Sequence, residues 1–170
     1  MTSRSLFGLA VAGTLFCSCQ SDAFHISGIA RDCHDGDTIC LVVEDDSLLL
    51  GQTYVSDGHF RFTGQTDDFR LCRVYVRRDR ESGVSFFLEP GHITIELQTL
   101  PKLSRVSGTI VNNEWQKLSD SINLLFNDKN KPIDSLHRQM SDCILRTAQR
   151  NKDNPLGRYI DEHYEKPEFK

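Results

Sequence analysis

The sequence predicts a mainly β protein, an antiparallel β-sandwich of about eight short strands followed by two or three α-helices. Three observations carry this. From Phe24 to Gly108, runs of β-branched, aromatic and aliphatic residues recur between Gly, Asp and Pro punctuation, the pattern of short strands joined by turns. No helix-length segment separates those runs, so a parallel sheet built on helical crossovers is not expected. Beyond Gly108 the apolar spacing changes from that of strands to that of helices.

The strand runs follow in order. FHISGIA (24–30) leads through the turn-rich RDCHDGD to TICLVV (38–43), and SLLLGQTYV (47–55) comes next. Asp57-Gly58 separates that run from HFRFTG (59–64) and is a strong hairpin signal. In FRLCRVYVR (69–77), Cys72, Val74 and Val76 share one face. A charged loop and Gly83 precede VSFFLE (84–89), Pro90-Gly91 turns the chain into HITIELQ (92–98), and LSRVSG (103–108) closes the β region.

The helical region spans residues 109–170. Trp115, Leu118, Ile122, Leu125 and Phe126 form a stripe at helical spacing, with Asn113 and Gln116 approximating a capping box. Trp115, Leu118, Ile122 and Phe126 are expected to be buried against the sheet or the second helix. A second stripe holds Ile133, Leu136, Met140, Cys143, Ile144 and Thr147. Asn154-Pro155 places a capping residue before a proline at the first helical position, followed by Leu156, Tyr159 and Ile160.

The N-terminal segment reads as an address. Arg4 precedes an apolar run from Leu6 to Phe16, too short for a bilayer span of about 20 residues and suited to the apolar region of a signal peptide. No A-x-A-like cleavage end follows. Phe16-Cys17-Ser18-Cys19 instead resembles a bacterial lipobox, although Phe16 stands where that pattern prefers Leu. Small Ser18 precedes Cys19, whereas bulky Phe16 precedes Cys17. Cys19 is therefore the expected lipidation site, with residues 1–18 as signal peptide and 19–23 as a polar tether. A cleaved, freely soluble exported protein is the rival reading.

Composition narrows the partners. The 170 residues carry 20 Lys+Arg against 24 Asp+Glu, a net charge of −4. That balance, without a Lys/Arg block, argues against a nucleic-acid partner. Arg77, Arg78 and Arg80 read as a solvated loop. Of six cysteines, Cys33, Cys40, Cys72 and Cys143 lie beyond Cys17 and Cys19, too scattered for a disulfide scaffold. Cys72 and Cys143 fall on apolar faces and read as small hydrophobes. Cys33 and Cys40 could bridge across a turn, although a turn at Asp35-Gly36 pairs 33 with 38.

Catalytic signals are sparse. In Asp32-Cys33-His34-Asp35-Gly36-Asp37 the glycine is misplaced for a calcium loop, and no second Cys/His group completes a zinc set. A polar turn explains the stretch. Glu89 and His92 flank Pro90-Gly91 and could act as base and acid, yet Pro-Gly is what a tight turn requires. There is no G-x-S-x-G, P-loop or H-E-x-x-H motif. No catalytic residue, cofactor site or metal site is assigned.

FHISGIA, SDGHFRFTG, FFLEPGHITIEL, VSGTIVNNEWQKL and NKDNPLGRYI, in this order across residues 24–160, carry a family likeness. The chain resembles the N-terminal domain of unknown function of bacterial periplasmic thiol:disulfide interchange lipoproteins, which there precedes a thioredoxin-like domain. The resemblance implies an accessory domain. The W-C-x-x-C site of the thioredoxin-like half is absent, and Trp115 has no cysteine nearby. The expectation is a non-catalytic, lipid-anchored module of the bacterial cell envelope that binds or scaffolds another envelope protein. The alternatives are a thiol-redox accessory acting through Cys33 and Cys40, or a truncated remnant of a thioredoxin-like oxidoreductase.

Overall fold

Alternation along the first strand sets the architecture. In Ala23–Ala30 (β1) Phe24, Ile26 and Ala30 are buried, while His25 and Ser27 face solvent, as one face of a half-covered sheet requires. The computed structural model describes residues 22–127 and 131–165. The signal segment 1–18 and Cys19 lie outside them. Seven more strands follow: Thr38–Val43 (β2), Leu49–Tyr54 (β3), His59–Gln65 (β4), Arg70–Val76 (β5), Asp79–Leu88 (β6), Gly91–Leu97 (β7) and Arg105–Ser107 (β8). They form two four-stranded sheets, a first in the order β4-β1-β7-β8 and a second in the order β3-β2-β5-β6. Ile26, Ile39, Leu41, Val74, Phe86 and Ile95 are among the side chains filling the space between them.

Two glycines make that packing possible. Gly28 pairs across the ladder with Phe60, and Phe24 pairs with Gly64. A Cβ on Gly28 would sit 2.0 Å from the Phe60 ring, and one on Gly64 2.7 Å from the Phe24 ring. Each phenylalanine lies over the bare backbone of its partner, which covers a weak strand position with a large apolar surface.

The expected sandwich is present, with two topological differences. β1 pairs with β7 in parallel, Phe24 opposite Gly91 through Ala30 opposite Leu97. No helix is needed, because the chain passes through the other sheet on its way: β1 to β2, β3 to β4, β4 to β5 and β6 to β7 all change sheets. Asp57-Gly58 does form a tight turn, with φ values of 51° and 72° and mutual backbone bonds between Ser56 and His59. It joins the two sheets instead of two paired strands. β6 also starts at Asp79 rather than in the 84–89 run, since Arg77-Arg78 alone makes the turn after β5.

Three helices follow: Ile110–Phe126 (α1), Ile133–Arg150 (α2) and Pro155–His163 (α3). The cap of α1 is Thr109, whose hydroxyl accepts from the Asn112 N–H at 3.3 Å. Asn113 lies inside the helix and accepts from the Gly108 N–H, so the box expected there is displaced by a turn. Leu118 is buried and Trp115 and Ile122 half-buried, but Phe126 is 56% exposed. Leu124 is exposed beside it, because the last turn of α1 runs past the second core. That core gathers Phe87, Val111, Leu118, Ala148, Leu156 and Ile160. Asn154 caps α3 through the Leu156 and Gly157 N–H groups.

α1 closes one side of the sandwich by replacing missing strands. The Asn112 carboxamide accepts from the Phe87 N–H and donates to the Phe87 C=O, both at 2.8 Å. The Trp115 indole donates to Ser85 C=O at 3.0 Å. On the other sheet Gln116 accepts from the Val106 N–H at 2.7 Å. α1 thereby takes up the edge groups of Ser85 and Phe87 on β6 and the Val106 N–H on β8, which keeps these parts of the two edges from pairing elsewhere.

Candidate functional site

The opposite side of the sandwich has no such cover. β3 and β4 meet at the Ser56–His59 turn and diverge from it. Between Leu50 and Gly64 they leave a cleft of about 290 Å³ that Phe24 and Leu88 also line. β3 is the edge of its sheet, and Leu48, Leu49, Leu50 and Tyr54 are exposed. From Ser47 to Val55 there is no charged residue and no proline, so the usual protections of a sheet edge are missing. An irregularity opposite Leu41 and Val42 leaves Leu50 without a cross-strand partner, which restricts the regular edge to Gly51–Tyr54.

Backbone polarity follows from the register. The Val55 N–H donates to Asp37 C=O at 2.9 Å, and antiparallel pairs alternate between bonded and non-bonded. Thr53 therefore bonds inward to Ile39, while the N–H and C=O groups of Gln52 and Tyr54, opposite Cys40 and Thr38, point away from the sheet. Acids bound the stretch: Asp45 and Asp46 before it and Asp57 after it, all exposed.

Two other hollows are occupied by their own chemistry. On the outer face of the second sheet a cleft of about 320 Å³ is lined by Val42, Tyr75, Glu44 and Arg73. Here Arg73 pairs with Glu44 at 3.4 Å and donates to the Arg80 C=O, and Ser85 donates to Glu44 at 2.7 Å. These contacts lock the β5–β6 hairpin. A groove of about 350 Å³ between β5 and α3 holds Phe69, Tyr159, Arg70 and Arg158. Phe69 stacks on Phe87 at 4.6 Å, and Phe87 meets Tyr159 edge-on at 5.0 Å. Burial, with Asp45 and Glu44 nearby, raises the Tyr159 hydroxyl above its ordinary pKa, so it stays protonated.

The residues singled out from sequence are dispersed. Cys33, Cys40, Cys72 and Cys143 are free thiols. Cys33 packs on the core between the sheets, whereas Cys40 belongs to a separate cluster with Val42 and Tyr75 on the outer face. The fold does not bring them together: Cys33, in the turn segment before β2, packs against the core, while Cys40 points from β2 to the outer face. Burial and then Asp37 raise the Cys33 thiol pKa, and burial drives Cys72 to about 12. Neither is the depressed thiolate that exchange chemistry uses.

Asp37 accepts from the His34 N–H at 2.9 Å and pairs with Arg78 at 3.1 Å. Those two contacts, Arg78 foremost, hold its carboxyl below the ordinary range. Of the arginine cluster, Arg78 is thus paired and Arg80 lies 5.4 Å from the Tyr75 ring centre. Glu89 turns toward α1, where Asn112 donates to it at 3.4 Å, and burial raises its pKa. His92 instead stacks on His25 at 4.9 Å on the outer face of the first sheet, so Glu89 and His92 do not form an acid–base pair. Among the described residues no three His, Cys, Asp or Glu gather as a metal set. None of the described helices is long and apolar enough to cross a membrane.

Sequence reasoning missed the open β3 edge and the histidine stack. The uncharged stretch 47–55 was a visible signal for the first. The stack depended on the parallel β1–β7 pairing, which no local pattern announces.

A β-sandwich closed on one side by a helix and open on the other is the class these features define. The family model for a domain of unknown function, DUF4369, matches residues 24–115, and the chain belongs to that family. The matched span covers all eight strands and the part of α1 carrying Asn112 and Trp115. No curated protein matches the chain.

Proposed function

We propose that this chain is an exported, lipid-anchored domain of the bacterial cell envelope that binds another envelope protein and performs no chemistry itself. The observation that carries the reading is the uncharged strip of exposed Leu48, Leu49, Leu50 and Tyr54 on the uncovered side of the sandwich. An apolar surface of this kind on a soluble domain marks an interaction site. The redox alternative is disfavoured by the separation of Cys33 from Cys40 and by the raised Cys33 pKa. The likeness to the accessory domain of thiol:disulfide interchange lipoproteins fits a module that serves a partner.

Cys19 carries the anchor in this reading. The Asp22 C=O accepts from the Thr66 N–H at 2.8 Å, so the tether leaves beside the end of β4. Two or more acyl chains hold a protein stably on a bilayer, where one chain does so only marginally. The test replaces Cys19 by Ser with Cys17 in place. Palmitate labelling and membrane attachment are expected to be lost. Retained labelling refutes the choice of cysteine, and wild-type protein in the soluble periplasm refutes the lipoprotein reading.

A further inference from the structure

We infer that the free edge of β3 is a strand-addition site for an extended segment of another protein, apolar in its middle and carrying Lys or Arg at both ends. The inference rests on the partner-binding reading above and names the surface and the chemistry of the partner. On β6 and β8, edge groups of Ser85, Phe87 and Val106 are taken up by Trp115, Asn112 and Gln116 of α1. At β3 the backbone groups of Gln52 and Tyr54 face outward with no described element beside them. An incoming strand bonds to these groups and places alternate side chains in two settings. One set meets the outer face by Tyr54 and Leu49. The other enters the cleft that Leu50, Gly64, Phe24 and Leu88 line.

Charge selects the occupant. Asp45 and Asp46 stand at one end of the strip and Asp57 at the other; at the cleft, Asp67 stands beside Arg70, whose charge is taken up by Asp68. A second copy is the wrong partner: antiparallel β3–β3 pairing through the outward groups of Gln52 and Tyr54 lays the Asp45-Asp46 end of each strip beside the Asp57 end of the other, with no Lys or Arg between residues 45 and 57 in either. Like charges facing across strands oppose pairing, and opposite charges favour it. A segment with cations at its two ends meets acids at both.

The test uses two synthetic peptides, Lys-Val-Thr-Val-Thr-Val-Lys and its counterpart with Glu at both ends, against the chain from residue 22 onward and against the full lipidated protein. The lysine peptide is expected to slow amide exchange at Gln52 and Tyr54, and to bind roughly tenfold more tightly than the glutamate peptide. Folded Gln52→Lys and Tyr54→Lys variants are each expected to lose at least about tenfold in affinity for it. Equal binding of both peptides, or no protection at those two amides, overturns the proposal. Dimers that Gln52→Lys dissolves overturn it too, by assigning the edge to a second copy. Photo-cross-linkers placed at Tyr54 and at His137 in intact cells separate the two levels. Adducts at His137 alone overturn the β3 site and keep partner binding, and adducts at neither overturn partner binding itself.

Discussion

Asn112 satisfies the backbone of Phe87 as a neighbouring strand would, accepting from its N–H and donating to its C=O, each at 2.8 Å. Both residues are fully buried. A single side chain thus ends the second sheet and fixes α1 against it.

Asn112→Ala strips both partners from Phe87 at once. Buried groups left unsatisfied cost about 1–3 kcal/mol each, so a loss of roughly 2–4 kcal/mol is expected in urea unfolding, with the slope unchanged. Asn112→Asp does no better, since it keeps an acceptor, loses the donor and buries a charge. A loss below about 1 kcal/mol contradicts the edge-closing role.

Gly28→Ala tests the phenylalanine lid. The new methyl collides with the Phe60 ring, and overpacking of this kind costs about 1–3 kcal/mol. Phe60→Val in the same chain makes room. The double variant is expected to be more stable than the sum of the single losses predicts, a coupling that direct contact requires. Strict additivity contradicts the contact.

Glu89 gives stability a pH dependence of known sign. Its carboxyl pKa is raised by burial, so the native state holds the proton more tightly than the unfolded chain. Between the unfolded and folded values the native state binds more protons, and stability falls as pH rises. Asp37 and Glu114, held low by Arg78 and Lys117 respectively, act in the opposite direction. The diagnostic quantity is therefore the difference between wild type and Glu89→Gln. The advantage of Glu89→Gln should grow on raising pH above the ordinary carboxylate range and then level off. A difference that is flat with pH contradicts burial as the cause.

Thiol labelling reads the core directly. Cys72 is fully buried with its thiol pKa raised to about 12, and the thiolate is the reacting species. Iodoacetamide should modify Cys72 only at the rate at which the protein unfolds, and Cys33 slowly in the native state. Rapid native labelling of Cys72 excludes the packing described for β5.

The strands were legible because their signals are local. HITIELQ alternates apolar and polar residues, Asp57-Gly58 forms a turn, and Pro90 marks the break before β7. What that turn connects was not legible, since the same dipeptide serves a hairpin and a change of sheet. The parallel β1–β7 ladder has no signature in either strand. Phe126 looked buried because it shares a periodic stripe with Leu118, but a stripe does not say where its covering surface ends. The open edge of β3 was written in the sequence as an absence of charge, and it became meaningful only once α1 was seen to cover parts of β6 and β8.

The parallel pairing of β1 with β7 governs the order in which this molecule can assemble. β4 can reach β1 early, but the other flank of β1 stays bare until Gly91–Leu97 has emerged. Contacts so distant along the chain carry a large loop-closure cost and slow folding. A polypeptide emerging N-terminus first from a ribosome therefore cannot complete its first sheet midway. It stays incomplete while Ile26 and its neighbours wait for a partner, and it locks cooperatively when the seventh strand slots alongside the first.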